Sequence, residues 1–106
     1  MEENYEVSSY YGVLPAIVRY DQNITTRAKI LFVELTAVCN GNGELKKTNK
    51  YFSERYGLSN TTIAKAVNEL KEANLISISK DADSKRIIKI VGYPTTVYGG
   101  GKCQNL

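Results

Sequence analysis

The sequence predicts an α+β fold in which three main helices precede a C-terminal β-hairpin. In residues 26–39 and 59–74, apolar residues recur every three or four positions, which is typical of amphipathic helices. A shorter segment between them, residues 48–57, begins with a threonine that can cap a helix and ends with a glycine that can terminate one. In residues 75–91, two strand-like runs flank a four-residue polar turn, which indicates a hairpin.

Residues 48–74 are predicted to form two helices joined by a tight turn. Thr48 can cap the first helix, and Gly57 can end it because glycine takes the left-handed conformation without a Cβ penalty. Ser59 can cap the second helix, in which three apolar residues at i, i+4 and i+7 form a buried stripe: Ile63, Val67 and Leu70. Two helices joined by a short turn containing glycine are typical of the helix-turn-helix, whose second helix enters the DNA major groove.

Residues 11–24 precede the first long helix. Pro15 favours a helix start, so residues 16–19 are expected to form a single helical turn. Three apolar side chains there are expected to dock on the core: Leu14, Ile17 and Val18. The nearby tyrosines are also expected to pack inward, although they could instead form a base-stacking platform for single strands: Tyr10, Tyr11 and Tyr20.

The first long helix is expected to begin at a cap on Thr25 or Thr26. Its buried stripe is predicted to contain Ala28, Leu31, Phe32, Leu35 and either Val38 or Cys39. Its solvated side is predicted to carry Arg27, Lys29 and Glu34. The run 40–43 (Asn-Gly-Asn-Gly) should end the helix, and residues 44–46 leave room for one very short strand.

The hairpin in residues 75–91 follows directly after the second helix of the helix-turn-helix, which is the position of the wing in a winged helix. Ile76 and Ile78 alternate with serines, so both isoleucines are expected on a buried face. The predicted organisation is a mobile N-terminal arm at 1–10, a winged helix-turn-helix domain at 11–91 and a flexible linker at 92–106. A chain that ends in a linker suggests an N-terminal piece of a longer protein, or one cut there.

Composition excludes several classes of chemistry. The 106 residues include no histidine, so Ser-His and Cys-His nucleophile pairs and histidine metal sites are excluded. The two cysteines, Cys39 and Cys103, cannot complete a structural zinc site by themselves. No two carboxylates are forced together by helix or strand spacing. We therefore expect neither an enzyme nor a protein that needs a cofactor or metal.

The net charge of +3 is unevenly distributed. Residues 1–21 contain four acidic side chains and one cation, a balance of −3, so the remaining 85 residues carry +6. This asymmetry points to a polyanionic partner. No apolar run reaches the ~18 residues of a membrane span, and the acidic start does not resemble a signal peptide. A cytoplasmic protein with no membrane contact is the expectation.

Residues 10–91 resemble a known family in five segments. The most extensive is Thr48-Asn-Lys-Tyr-Phe-Ser-Glu-Arg-Tyr-Gly-Leu-Ser59, and the others lie at 11–21, 24–32, 35–40 and 70–76. Together they resemble the N-terminal winged helix-turn-helix domain of phage and plasmid replication initiators from Gram-positive bacteria. The resemblance implies binding of double-stranded origin DNA. It also implies that a further C-terminal region, beyond a variable linker, recruits helicase-loading machinery.

The candidate base-reading residues lie on the polar face of the second helix of the helix-turn-helix: Asn60, Thr61, Thr62, Lys65 and Asn68. Members of the family often have basic residues at positions 60, 61 and 65, but only Lys65 is basic here. A bidentate arginine contact to guanine is therefore not expected from this face. Asparagine can read adenine and threonine methyls can touch thymine, which would suit A·T-rich origin repeats. The alternative is that this face is merely solvated.

A second set of residues is expected to contact phosphates, which position the protein without reading sequence. This set comprises Lys46, Lys47 and Lys50 near the start of the preceding helix, the cap Ser59, and Lys80, Lys85 and Arg86 in the wing. Asp81 and Asp83 at the tip of the wing argue against its deep insertion into a groove.

Two alternative functions fit the same residues. The first is a transcriptional regulator with the same fold. The second is a protein–protein winged helix that docks on replisome partners without touching DNA. The sequence leaves open whether the protein forms a homodimer.

Overall fold

The computed structural model describes residues 12–91, so the predicted arm at 1–10 and the predicted linker at 92–106 lie outside the described residues. The described chain contains four helices and three strands: α1 (Ala16–Arg19), α2 (Thr26–Val38), β1 (Glu44–Leu45), α3 (Asn49–Tyr56), α4 (Asn60–Glu72), β2 (Ile76–Lys80) and β3 (Arg86–Ile90). Three main helices followed by an antiparallel hairpin confirm the predicted α+β fold, consistent with a winged helix-turn-helix.

Helix α2 forms where its cap and its apolar stripe were expected. The Thr25 hydroxyl accepts a hydrogen bond from the Ala28 backbone N–H at 3.2 Å, so Thr25 and not Thr26 is the cap. The buried stripe contains Ala28, Leu31, Phe32, Leu35 and Cys39, while Val38 is partly buried. The placement of Glu34 on the solvated side is wrong. Its side chain is only 15 % exposed because it pairs with residues of α3.

The two ends of α3 and the start of α4 are fixed by three residues that the sequence singled out. The Thr48 hydroxyl caps α3 by accepting from the Tyr51 N–H at 3.2 Å. Gly57 ends α3 with φ at 67°, the left-handed region that glycine enters most easily. The Ser59 hydroxyl caps α4 by accepting from the Thr62 N–H at 3.1 Å. These caps set where each helix starts and therefore which face of α4 is buried.

The three strands form one antiparallel sheet in the order β1-β3-β2. Leu45 of β1 pairs with Ile88, and Ile76 of β2 pairs with Ile90, which places four apolar side chains against the helices. Ile78 lies opposite Ile88 in the ladder but is 36 % exposed, so its expected burial is wrong. Ile88 belongs to the central strand β3 and is fully buried, whereas Ile78 belongs to β2 at the edge of the sheet.

The segment around α1 packs more loosely than the sequence suggested. Val18 is fully buried and Leu14 is partly buried, but Ile17 is 70 % exposed. Tyr20 is 69 % exposed with the Arg19 guanidinium 5.3 Å from its ring centre, so its predicted inward packing is wrong. Of the four residues in this single helical turn, Val18 is the one that is buried. Tyr10 and Tyr11 lie outside the described residues.

Candidate nucleic-acid interface

The polar face of α4 is set by the residues buried on its other side. Ile63, Ala66, Val67 and Leu70 are at most 4 % exposed. Helical geometry then directs the intervening positions away from the core. Four of the five predicted base-reading residues are exposed there: Asn60, Thr61, Lys65 and Asn68.

The fifth candidate, Thr62, is partly buried and already has a partner. The Ser59 hydroxyl donates to the Thr62 hydroxyl oxygen at 2.9 Å while it also caps the helix. Thr62 and Lys65 line a groove of about 710 Å³ between α2, the α3–α4 turn and α4. These two side chains thus flank the α2 side of the helix, whereas Asn60, Thr61 and Asn68 do not line the groove.

Three lysines lie at the start of α3, as predicted. The Lys50 side chain is 78 % exposed, with only a long i,i+4 contact of 3.9 Å to Glu54. The Lys47 ammonium lies 4.6 Å from the centre of the Tyr51 ring, within range of a cation–π interaction. The Lys46 ammonium forms a close ion pair, 2.9 Å from a carboxylate oxygen of Asp81 in the wing turn.

The three wing cations that were predicted to contact phosphates differ in what they contact. Lys80 and Lys85 are exposed. Arg86 is half-buried, and its guanidinium donates to the Asn49 side-chain oxygen at 2.9 Å and to the Lys47 carbonyl at 2.7 Å. Burial lowers the pKa of Arg86 from the usual arginine range. Arg86 therefore ties the wing to the start of α3, a structural role that the sequence did not predict.

A depression of about 310 Å³ lies between the wing turn and the start of α3. It gathers four of the seven phosphate candidates together with a cap and two carboxylates: Lys46, Lys47, Thr48, Asp81, Asp83, Lys85 and Arg86. Lys50, Lys80 and Ser59 do not line it. The structure thus brings residues of the wing close to lysines at the start of α3 that are distant from them in sequence.

Asp81 organises the wing turn. One carboxylate oxygen accepts from the backbone N–H groups of Asp83 at 2.8 Å and Lys85 at 2.9 Å. The other oxygen faces Lys46. The hydrogen bond from Lys46, followed by those from the backbone, lowers the pKa of Asp81 to about 2. Asp81 therefore stays ionised across the physiological range.

Sequence reasoning did not identify a cluster that joins α2 to the end of α3. Glu34 accepts from the Tyr56 hydroxyl at 2.8 Å and pairs with Arg55 at 3.3 Å. The Arg55 guanidinium also lies 5.0 Å from the Tyr51 ring. Burial, with the bond to Glu34, raises the pKa of Tyr56 well above its usual value. Spacing offered one signal, because Lys47, Tyr51 and Arg55 recur every fourth residue.

The described residues offer little to other classes of site. Between residues 12 and 91, no cluster of three or more His, Cys, Asp or Glu side chains could hold a metal ion. No helix within the same range is long and apolar enough to cross a membrane.

The fold and its exposed polar helix define a class: a helix-turn-helix DNA-binding domain with a C-terminal hairpin. A protein-family model described as a helix-turn-helix domain matches residues 22–76, which is more than half of the chain. The chain belongs to this family, whose domains bind DNA and usually have no catalytic role. Neither the curated proteins nor the solved structures contain a match to the chain.

Proposed function

We propose that this domain is the double-stranded DNA-binding module of a phage or plasmid replication initiator and that it recognises origin DNA. Helix α4 lies in the major groove and reads bases, while the start of α3 and the wing hold the backbone. The observation that carries this proposal is the exposed face of α4. It is polar, fixed in direction by a buried stripe, and free of carboxylates from Asn60 to Asn68.

The chemistry of that face favours A·T-rich DNA. Asn60 and Asn68 can each bond an adenine edge through a side-chain amide, and the methyl of Thr61 can contact thymine. Lys65 is the one cation between Asn60 and Asn68, and its ammonium can donate to a guanine edge or to a phosphate oxygen. No arginine lies on α4, so the bidentate guanine contact that dominates many interfaces is not offered there.

The phosphate contacts are assigned to cations outside α4. Lys47 and Lys50 project near the start of α3, and Lys80 and Lys85 project from the wing. Backbone contacts of this kind fix register and supply most of the salt dependence. Ser59 and Arg86 remain phosphate candidates through their donors, although both already stabilise the fold.

The replication role rests on the resemblance of residues 10–91 to replication-initiator domains, and it is tested separately from DNA binding. Fragments of the source replicon would be incubated with the protein, and the bound fragments sequenced. The proposal expects enrichment of one cluster of A·T-rich repeats beside a replication gene. Enrichment at promoters scattered through the replicon would instead support a transcriptional regulator.

Binding itself is tested by titrating a 20–30 bp duplex over a range of salt concentrations. A DNA-binding surface loses affinity log-linearly with salt, with a slope of about −0.9 per phosphate neutralised. Absence of duplex binding at low salt would contradict the proposal and favour a protein-docking role.

A further inference from the structure

We propose that Asp81 is a built-in phosphate mimic, whose carboxylate holds Lys46 in the place that a DNA backbone phosphate takes in the complex. The inference rests on the proposed DNA binding and deepens it. It assigns one phosphate-binding position and names the side chain, Asp81, that competes with the phosphate for Lys46. It also separates Lys46 from Lys47 and Lys50, which otherwise belong to the same set of candidates.

The two oxygens of Asp81 have different tasks. One oxygen accepts from two backbone N–H groups and shapes the wing turn, in which Ser84 adopts a φ of 64°. The other oxygen lies 2.9 Å from the Lys46 ammonium. The turn therefore needs a side-chain acceptor at position 81 but does not need its negative charge. The contact with Lys46 is the one that pairs the carboxylate with an opposite charge.

The surroundings of this pair suit an anion. The pair lies at the depression of about 310 Å³, whose walls also carry Lys47, Lys85 and Arg86. Arg86 is anchored to the start of α3 by two hydrogen bonds, so it fixes the distance between the wing and that helix. A depression whose walls carry several cations can hold a phosphate. In this structure, the anion beside Lys46 is the carboxylate of Asp81.

Exposure shows which partner can move. The Lys46 side chain is 59 % exposed, whereas that of Asp81 is 19 % exposed and held by the turn. Lys46 can therefore rotate toward a phosphate while Asp81 stays in place. Each such contact must first break the ion pair, so Lys46 adds less to DNA affinity than an unpaired lysine would.

The test measures the affinity of four variants of the 106-residue chain for a cognate and a scrambled duplex. The variants are Asp81→Asn, Lys46→Gln, the combination of these two, and Asp83→Asn. Asp81→Asn keeps a side-chain acceptor for the turn but releases Lys46. We expect it to raise affinity for both duplexes about three- to tenfold and to steepen the salt slope by about one unit. When Lys46→Gln is already present, Asp81→Asn should no longer raise the affinity, and a double-mutant cycle would show this.

Asp83→Asn is the matched control, because it removes the same charge from the same turn and leaves the Lys46–Asp81 pair in place. A smaller gain for Asp83→Asn than for Asp81→Asn supports the mimic. Equal gains for the two, or a gain from Asp81→Asn that persists in Lys46→Gln, would overturn it and reduce Asp81 to general repulsion of DNA. No gain from Asp81→Asn would also overturn it.

A replacement variant and the binding of the parent chain distinguish failure of this inference from failure to fold and from failure of the proposed function. If Asp81→Asn fails to fold by circular dichroism, Asp81→Ser takes its place, since a serine hydroxyl can also accept from turn N–H groups. If the parent chain binds no duplex, the proposed function is overturned, and this inference with it. If the parent binds and only the Asp81 variants behave otherwise than expected, the inference alone fails.

Discussion

Both carboxylate oxygens of Glu69 in α4 accept hydrogen bonds from Thr25 at the start of α2. One oxygen accepts from the Thr25 backbone N–H at 2.9 Å, and the other accepts from its hydroxyl at 2.8 Å. The same hydroxyl caps α2 by accepting from Ala28. A single residue therefore joins the cap of α2 to the third turn of α4, 44 positions away.

Removing this link should cost stability without disturbing the core. Glu69→Ala is expected to lower the free energy of unfolding by about 1 kcal/mol, because two hydrogen bonds to a charged but exposed group are lost. Urea unfolding would measure it. Glu72→Ala, exposed on the same helix, is the control and should stay within about 0.5 kcal/mol of the parent. Equal effects from the two variants would show that the Thr25 contact contributes nothing.

The helix-turn-helix could be predicted closely because its signals are local. Thr48, Gly57 and Ser59 each perform the capping or terminating role that their residue types favour. The stripe of α4 followed from spacing alone. Signals of this kind depend on a few neighbouring residues, and no distant contact in this domain overrides them.

The errors all concern contacts between elements distant in sequence. Glu34 is covered because Tyr56 and Arg55 contact it from α3. Arg86 has a structural role because its guanidinium donates to Asn49 at the start of α3. Ile17 and Ile78 have apolar side chains that no element between residues 12 and 91 covers fully. Spacing along the chain carries no information about which element lies opposite.

The core depends on leucines from the two long helices. Leu35 of α2 and Leu70 of α4 are both fully buried. Leu35→Ala or Leu70→Ala is expected to cost about 2–5 kcal/mol, since each removes buried apolar volume and leaves a cavity. Thermal melts would show the loss. Ile17→Ala, at a position 70 % exposed, is the control and should melt near the parent temperature.

The wing turn should show an acid-dependent stability that belongs to Asp81. Its pKa is lowered to about 2 from an ordinary value of 3.8, chiefly by the hydrogen bond from Lys46. A lowered pKa in the folded state means that the contribution is fully present above about pH 4. It is lost as the pH falls through about 2.

Melting temperatures of the parent and Asp81→Asn would be compared between pH 2 and pH 6. We expect the melting temperature of the parent to rise relative to that of the variant between pH 2 and pH 4. Above that range the difference between the two melting temperatures should be constant. A difference that does not change with pH would contradict the role of the carboxylate charge.

Lys47 and Lys50 are expected to position DNA without reading it. Lys47→Ala or Lys50→Ala should weaken binding to cognate and scrambled duplexes alike, and each should reduce the salt slope by about one unit. Lys71→Ala, exposed in the last turn of α4, is the control for the loss of one charge. A change in sequence preference from either substitution would place base reading on α3 instead.

The central claim is that α4 reads bases through its exposed face, and one gel-shift series tests it most directly. Asn60→Ala, Thr61→Ala and Lys65→Ala leave the buried stripe intact, and alanine favours helix, so all three variants should fold. Specific binding should fall by about 1–3 kcal/mol for each base contact removed, whereas binding to a scrambled duplex should fall much less. Equal losses on both duplexes would reduce α4 to a backbone contact, and no loss on either would contradict the claim outright.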